Sequence, residues 1–140
     1  MVGTGFVTTR REARIIVLQA LCESDTVNHE SRSVLDRMIR EYDVKYECAE
    51  FSIDLVSNVL ENLVELDNII KEFAPSWPVT QMATVDRNLL RMGIAEILWV
   101  EGSFEGVVAN EAVELAKVFG SESSASFVNG VLGSFLSSND

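Results

Sequence analysis

The chain has 140 residues, of which 47% are hydrophobic, so we expect one folded domain with a substantial core rather than a disordered chain. No apolar run approaches the roughly 18 residues of a membrane span, and residues 1–9 lack the features of a secretory signal, so we expect a cytoplasmic protein. The first 45 residues carry seven basic and seven acidic side chains, so the net charge of −11 lies entirely in residues 46–140. A chain this acidic would bind nucleic acid only through a local cluster of cations.

Helical periodicity predicts an all-α fold that begins with a helix over about residues 10–24. Thr9, followed three residues later by Glu12, predicts a capping box at its start. Its apolar side is formed by Ala13, Ile16, Val17, Ala20 and Leu21. A second helix is expected near residues 31–42. A third pattern begins near residue 45 and continues as one near-heptad seam, broken at Asp67, with Ala49, Ile53, Val56, Leu60, Leu63 and Ile70 as its apolar positions.

Pro75 and Pro78 interrupt the helical pattern on either side of Trp77, which predicts a boundary between subdomains of about residues 8–74 and 79–138. Residues 85–99 are apolar on nearly all sides, as expected of a central helix. Two amphipathic helices follow within residues 107–136, joined at Gly120, which we expect to be left-handed, with Ser121 capping the second. We therefore predict a compact all-α bundle of about six to seven helices, in two small three- to four-helix subdomains within one domain, 1–140, and no convincing strand.

Three arginines near the start of the first helix form the local basic cluster. Arg10, Arg11 and Arg14 fall within one arc of about 100° on a helix. With the free N–H groups of that helix end, they would form an anion site suited to a phosphate backbone. The alternative is a solvated basic face that pairs with nearby acids.

Four blocks in this sequence resemble the NusB family of bacterial transcription antitermination factors, in the same order over residues 10–136. The first is Arg10-Arg11-x-Ala-Arg14 with Gln19-Ala20-Leu21, and the second is Val85-Asp86-x-x-Leu-Leu-Arg91 with Glu96-Ile97. The third runs from Asn110-Glu111 to Lys117-x-Phe119-Gly120, and the last is Phe127-Val-Asn129-Gly130-Val-Leu. The last two blocks are the more specific.

The resemblance implies an adaptor without catalysis, which binds the single-stranded boxA element of RNA together with NusE, a small-subunit ribosomal protein, and holds the complex on RNA polymerase. The implied RNA-binding positions are Arg10, Arg11, Arg14, Phe119, Ser123 and Phe127. The implied NusE-facing positions are Cys22, Asp86 and Arg87. We expect Phe119 and Phe127 to be mostly buried, because each lies on an apolar stripe.

Two positions depart from the family pattern. Cys22 stands where relatives often carry tyrosine, and Ser123 begins a corner in which an acid followed by basic residues is common. Both changes remove groups that could hydrogen-bond RNA or its partner. A protein-only adaptor or homodimer that binds NusE but has lost strong RNA binding is therefore the alternative function.

Other features favour structural roles. Ser126, Gly130, Gly133 and Ser137 form a small-residue stripe on the last helix, which we expect to pack within the chain, with a homodimer contact as the alternative. Arg87 and Arg91 are expected to pair with Glu96 or other acids rather than form a second basic site. Thr84 is expected to cap the helix that carries Asp86. Cys22 and Cys48 are expected to be reduced thiols, and one histidine, His29, with no paired cysteine motif predicts no metal site, cofactor or enzyme activity.

Overall fold

The computed structural model describes residues 6–27 and 30–138, without the side chains of residues 26 and 27. His29 lies outside the described residues. The predicted all-α class is confirmed, because helices form most of this described part. In chain order they are α1 (Arg10–Val27), α2 (Ser31–Glu41), α3 (Tyr46–Glu61), α4 (Leu63–Phe73), a short 3-10 helix (Val79–Gln81), α5 (Thr84–Trp99), α6 (Glu105–Phe119) and α7 (Ser124–Ser138). None of the described helices is both long and apolar enough to cross a membrane.

Two short strands, β1 (Phe6–Val7) and β2 (Asp43–Val44), correct the expectation of a chain without strands. They pair in parallel, with Phe6 opposite Asp43 and Val7 opposite Val44. The backbone N–H of Lys45 extends this pairing, donating to the Val7 carbonyl at 2.8 Å. A two-residue strand has no room for the alternating pattern that reveals longer strands, and its partner is distant in sequence, so local periodicity could not predict it.

The predicted continuous seam from Ala49 to Ile70 is wrong, because the helix stops at Asn62 and a new one, α4, begins at Leu63. Leu60 and Leu63, on either side of the break, are exposed and, with neighbouring residues, line an open cavity of about 590 Å³. Val56 and Ile70 are buried, as the seam predicts. The positions that are buried instead include Cys48, Phe51, Leu55, Val59 and Leu66.

The chain divides into two compact units, Met1–Asn58 and Val59–Asp140. In the first unit, α1 packs against α2, and the predicted apolar side of α1 is buried. In the second unit, α4 packs against α5 and α7. The division therefore lies upstream of the Pro75–Pro78 segment, at which the sequence pattern places a subdomain boundary.

Helix α5 is the centre of the second unit, as the sequence predicts. It packs against α4, α6 and α7, and residues 92–96 are all buried. The Arg91 guanidinium donates to both carboxylate oxygens of Asp67 on α4, at 2.8 and 3.0 Å. The expectation that Arg91 pairs with an acid is confirmed. Glu96 accepts a hydrogen bond from the Ser103 hydroxyl at 2.8 Å.

Candidate nucleic-acid interface

A capping box fixes the start of α1, as the Thr9 and Glu12 spacing predicts. The backbone N–H of Glu12 donates to the Thr9 hydroxyl at 3.1 Å, and the Thr9 N–H donates to the Glu12 carboxylate at 3.1 Å. The Thr8 N–H donates to the same carboxylate at 3.2 Å. These bonds, that of the Thr8 backbone first, hold the pKa of Glu12 below its usual value. Because the helix must begin after Thr9, Arg10 lies in its first turn.

The three arginines do not share one environment. Arg10 and Arg11 are exposed, whereas Arg14 is buried, with only 6% of its surface exposed. The two exposed side chains can reach a phosphate in solvent, and Arg14 cannot do so without moving. The helical spacing in the sequence places all three arginines within one arc. It does not show that this arc includes both exposed and buried positions of α1.

Phe51 on α3 contacts two of these arginines, and the sequence pattern did not identify it. The guanidinium carbon of Arg10 lies 4.5 Å from the centroid of the Phe51 ring, and that of Arg14 lies 5.5 Å away. A cation in the first turn of a helix is disfavoured by about 0.3–1 kcal/mol. A cation over an aromatic ring gains about 0.5–1 kcal/mol when exposed and about 2 kcal/mol when desolvated. The ring therefore offsets the unfavourable position of Arg10 in the first turn. No local spacing links Phe51 to α1, so only the tertiary structure reveals it.

The corner between α6 and α7 is the second candidate element, and its glycine differs from the prediction. Gly120 has φ −94° and ψ −174°, which is extended backbone rather than left-handed. Glycine is required for space instead: a Cβ there would lie 2.5 Å from the Ser124 Cβ and 2.8 Å from the Ala116 carbonyl oxygen. The corner is tight because two helices meet across a few residues whose side chains and backbone are in contact.

Ser121 does not cap α7, because that helix begins three residues later, at Ser124. The Ser121 N–H instead donates to the Ser124 hydroxyl at 2.9 Å, and the Ser124 N–H donates to the Ser121 carbonyl at 3.1 Å. Ser124 is completely buried. These two bonds hold the corner in one conformation and leave the Ser123 side chain exposed.

Phe119 and Phe127 flank this corner, and both are partly buried, in line with their places on the apolar stripes. Phe119 ends α6, and Phe127 lies in the first turn of α7. Each ring therefore combines packing against the core with some accessible surface. An accessible ring edge beside an exposed hydroxyl such as that of Ser123 can contact an unstacked base.

The positions that the resemblance assigns to a partner lie in different surroundings. Cys22 on α1 is not in a disulfide bond and has intermediate exposure. Asp86 on α5 is 8% exposed, and its Oδ1 atom has no hydrogen-bond donor among the described residues. The cap of α5 is Ala83, which makes no side-chain capping bond, so the expectation that Thr84 caps this helix is wrong. Arg87 donates to the Thr80 and Met82 carbonyls, each at 3.3 Å.

Three other predictions concern a metal site, the Cys48 thiol and the small-residue stripe on α7. In the described part of the chain, no three histidine, cysteine or acidic side chains come together in a way that could hold a metal ion. Burial raises the pKa of the Cys48 thiol, and Cys48 is a free cysteine as expected. The small-residue stripe of α7 does not pack against the part of the chain that the structure describes, because Gly130 and Gly133 are exposed and none of the described atoms lies within 4 Å of a Cβ built at either one.

Comparisons with known proteins agree over nearly the whole chain. A family described as the NusB family matches residues 11–137. The transcription antitermination protein NusB of Dehalococcoides mccartyi is 47% identical over 127 residues, which are 91% of this chain and 89% of that protein. The solved structure of T. maritima NusB is 30% identical, with a TM-score of 0.83 over 91% of this chain and 89% of that chain. A crystal structure of the antitermination factors NusB and NusE in complex with dsRNA matches with 26% identity and a TM-score of 0.83, over 92% of this chain and 96% of that chain.

Proposed function

Because this chain belongs to the NusB family, we propose that it acts as a transcription antitermination factor, an adaptor that binds boxA-type RNA with NusE and acts on RNA polymerase during ribosomal RNA transcription. The observation that carries this proposal is the family match over residues 11–137. A solved NusB and NusE complex with dsRNA, to which the chain is similar, supports both partners. In this proposal the protein works in the cytoplasm and catalyses no reaction of its own.

Arg10 and Arg11 are proposed as the phosphate contacts. Both are exposed at the first turn of α1, where the helix dipole favours an anion. Arg14 supports them from its buried position. Each phosphate that an arginine neutralises releases counterions, so the affinity would depend on salt concentration although the protein as a whole is acidic.

Phe119, Ser123 and Phe127 are proposed as the base contacts. Stacking of an RNA base on an aromatic side chain is worth about 1–3 kcal/mol, and it tolerates different bases because every base has a flat face. The partly accessible rings of Phe119 and Phe127 suit such stacking, and the exposed hydroxyl of Ser123 can donate or accept a hydrogen bond.

Asp86, Arg87 and Cys22 are proposed to face NusE. The Oδ1 atom of Asp86 supports this assignment, because a buried carboxylate oxygen without a donor is costly unless a partner supplies one. A basic or amide side chain of NusE would satisfy that oxygen on binding. Cys22 would contribute a small, partly exposed apolar contact.

The test is a fluorescence titration of boxA RNA with this protein, with NusE, and with the mixture, at several salt concentrations. We expect tighter binding by the mixture than by either protein, with a logarithmic salt slope near −1.4 for two phosphate contacts on single-stranded RNA. Replacing Arg10 and Arg11 by alanine should remove most of that slope. Arg40→Ala, which removes an exposed cation from α2, is the matched control and should leave the slope unchanged. RNA binding that shows no preference for the mixture would refute the proposal.

A protein-only adaptor or homodimer is the second candidate, and the exposed stripe on α7 favours it. Ser126, Gly130, Gly133 and Ser137 are all exposed and would let another backbone approach closely. This candidate predicts NusE binding that is independent of RNA. It also predicts an oligomer in sedimentation experiments, which Gly133→Leu would dissociate.

A further inference from the structure

Phe51 stands out among the residues that the sequence pattern and the family blocks left without a role. It lies on α3, and its ring is almost completely buried, with 6% of the residue exposed. Two guanidinium groups from a different helix nevertheless lie within 5.5 Å of its centroid. One of them belongs to the exposed Arg10 and the other to the buried Arg14. A single aromatic ring thus contacts both an exposed and a buried member of the basic cluster.

A neutral ring differs from a carboxylate in one respect that matters for RNA binding. An acid orders an arginine side chain but partly cancels its charge toward a phosphate. A ring attracts the cation through its quadrupole and leaves the full positive charge in place. A long arginine side chain also loses rotamer freedom when it is ordered on binding, and a ring that has already ordered it reduces that cost.

We propose that Phe51 is a positioning residue of the RNA-binding surface, whose ring holds the Arg10 guanidinium in place for a phosphate while Arg14 braces the same ring from the buried side. This inference rests on the proposed RNA-binding function. It assigns no contact between Phe51 and RNA, because the ring is covered. It predicts that RNA affinity depends on the electrons of the ring and not only on its volume.

The first experiment tests the positioning without RNA. In nitrogen-15 NMR spectra, the Arg10 side-chain N–H signal should carry a ring-current shift and show restricted motion. Phe51→Leu should remove the shift and increase the motion, whereas Phe51→Tyr should retain both features. Phe135→Leu, which removes a ring of similar burial from the second unit, is the matched control and should leave the Arg10 signal unchanged. An Arg10 signal that is identical in the wild type and in Phe51→Leu would overturn the proposal.

The second experiment tests the consequence for RNA, with the mixture of this protein and NusE as the binding species. Progressively fluorinated phenylalanine analogues at position 51 keep the shape of the ring and weaken its attraction for cations. We expect boxA affinity to fall stepwise along this series, by about two- to fivefold in total. In an Arg10→Ala background the series should have no effect. Equal affinity for all analogues, or an equal loss with and without Arg10, would mean that Phe51 only packs, and would overturn the proposal.

The two experiments separate this inference from the function on which it rests. If the wild-type mixture shows no preference for boxA RNA, the proposed function fails, and the NMR comparison still decides whether Phe51 orders Arg10. If the mixture binds RNA and the fluorinated series is flat, the function stands and the positioning role fails. The fluorinated series also covers the case in which Phe51→Leu does not fold, because these analogues preserve packing.

Discussion

Replacement of Gly120 by alanine tests the geometry of the corner between α6 and α7. The new Cβ would lie 2.5 Å from the Ser124 Cβ, whereas carbon atoms pack best at about 3.5–4.0 Å, so the two groups must separate by about 1 Å. Overpacking of this kind costs about 1–3 kcal/mol. The movement also strains the 2.9 Å bond from the Ser121 N–H to the Ser124 hydroxyl, worth about 1 kcal/mol.

One effect opposes this loss, and its magnitude is smaller. The backbone at Gly120 has φ −94° and ψ −174°, which alanine adopts without strain, so alanine stabilises by about 0.4–1 kcal/mol through the unfolded chain. The net expectation is a loss of about 2 kcal/mol, which for a chain of this size lowers the melting temperature by about 4–8 °C. Urea and thermal unfolding, followed by circular dichroism, measure both quantities.

Gly133→Ala is the matched control for this substitution. Gly133 lies inside α7 and is exposed, and within residues 6–27 and 30–138 no neighbour comes within 4 Å of a Cβ built there. Alanine there should stabilise the protein by about 0.5–1 kcal/mol, because it is the better helix former. If Gly120→Ala is as stable as the wild type while Gly133→Ala behaves as expected, the close contact at the corner is not what requires glycine.

Three further predictions concern side chains outside the corner. The lowered pKa of Glu12 means that its ionised form stabilises the folded state above the unfolded value near 4.5, so the advantage of the wild type over Glu12→Gln should disappear as the pH falls through the folded pKa; in urea unfolding at a series of pH values, a difference that does not change with pH would show that the capping bonds do not form. Asp67→Asn should lower the free energy of unfolding, measured by chemical denaturation, by about 2–3 kcal/mol, because it removes the carboxylate that pairs with the Arg91 side chain, which is only 11% exposed. A combined Asp67→Leu and Arg91→Met variant should recover most of that loss. Burial raises the pKa of Cys48, so iodoacetamide should modify Cys48 more slowly than Cys22 when followed by mass spectrometry, and equal rates would contradict the burial.

The helices that carry most of the fold could be predicted from the sequence because their information is local. The buried side of α1, its capping box and the central position of α5 all follow from spacing within one helix. The junction of α6 and α7 was also placed near the correct residue. The conformation of Gly120 was predicted wrongly, because a glycine that ends a helix is most often left-handed. Only the position of Ser124 in the structure shows that glycine is required here for space.

The errors arose where distant or competing interactions decide the structure. The pairing of β1 with β2 joins segments far apart in sequence. The sequence pattern predicts that the near-heptad seam continues through Asn62, whereas the helix is interrupted there. Leu60 and Leu63, on either side of the interruption, are exposed. The arginine cluster was recognised from sequence, but the burial of one member was not. The residue types of the candidate site were therefore predictable, and the packing around them was not.

The cost of a cation at a helix N-terminus explains why the environment of the arginines matters as much as their number. The dipole that makes the first turn of α1 attractive to a phosphate also disfavours the arginines that would bind it. A carboxylate that pairs with an arginine also relieves such a conflict, but it competes with a phosphate for the cation. At physiological salt, charges more than about 8 Å away are largely screened, so the groups next to each guanidinium decide the local field. A buried phenylalanine ring relieves the conflict without adding negative charge, which is why a neutral residue of α3 belongs to the proposed RNA-binding surface.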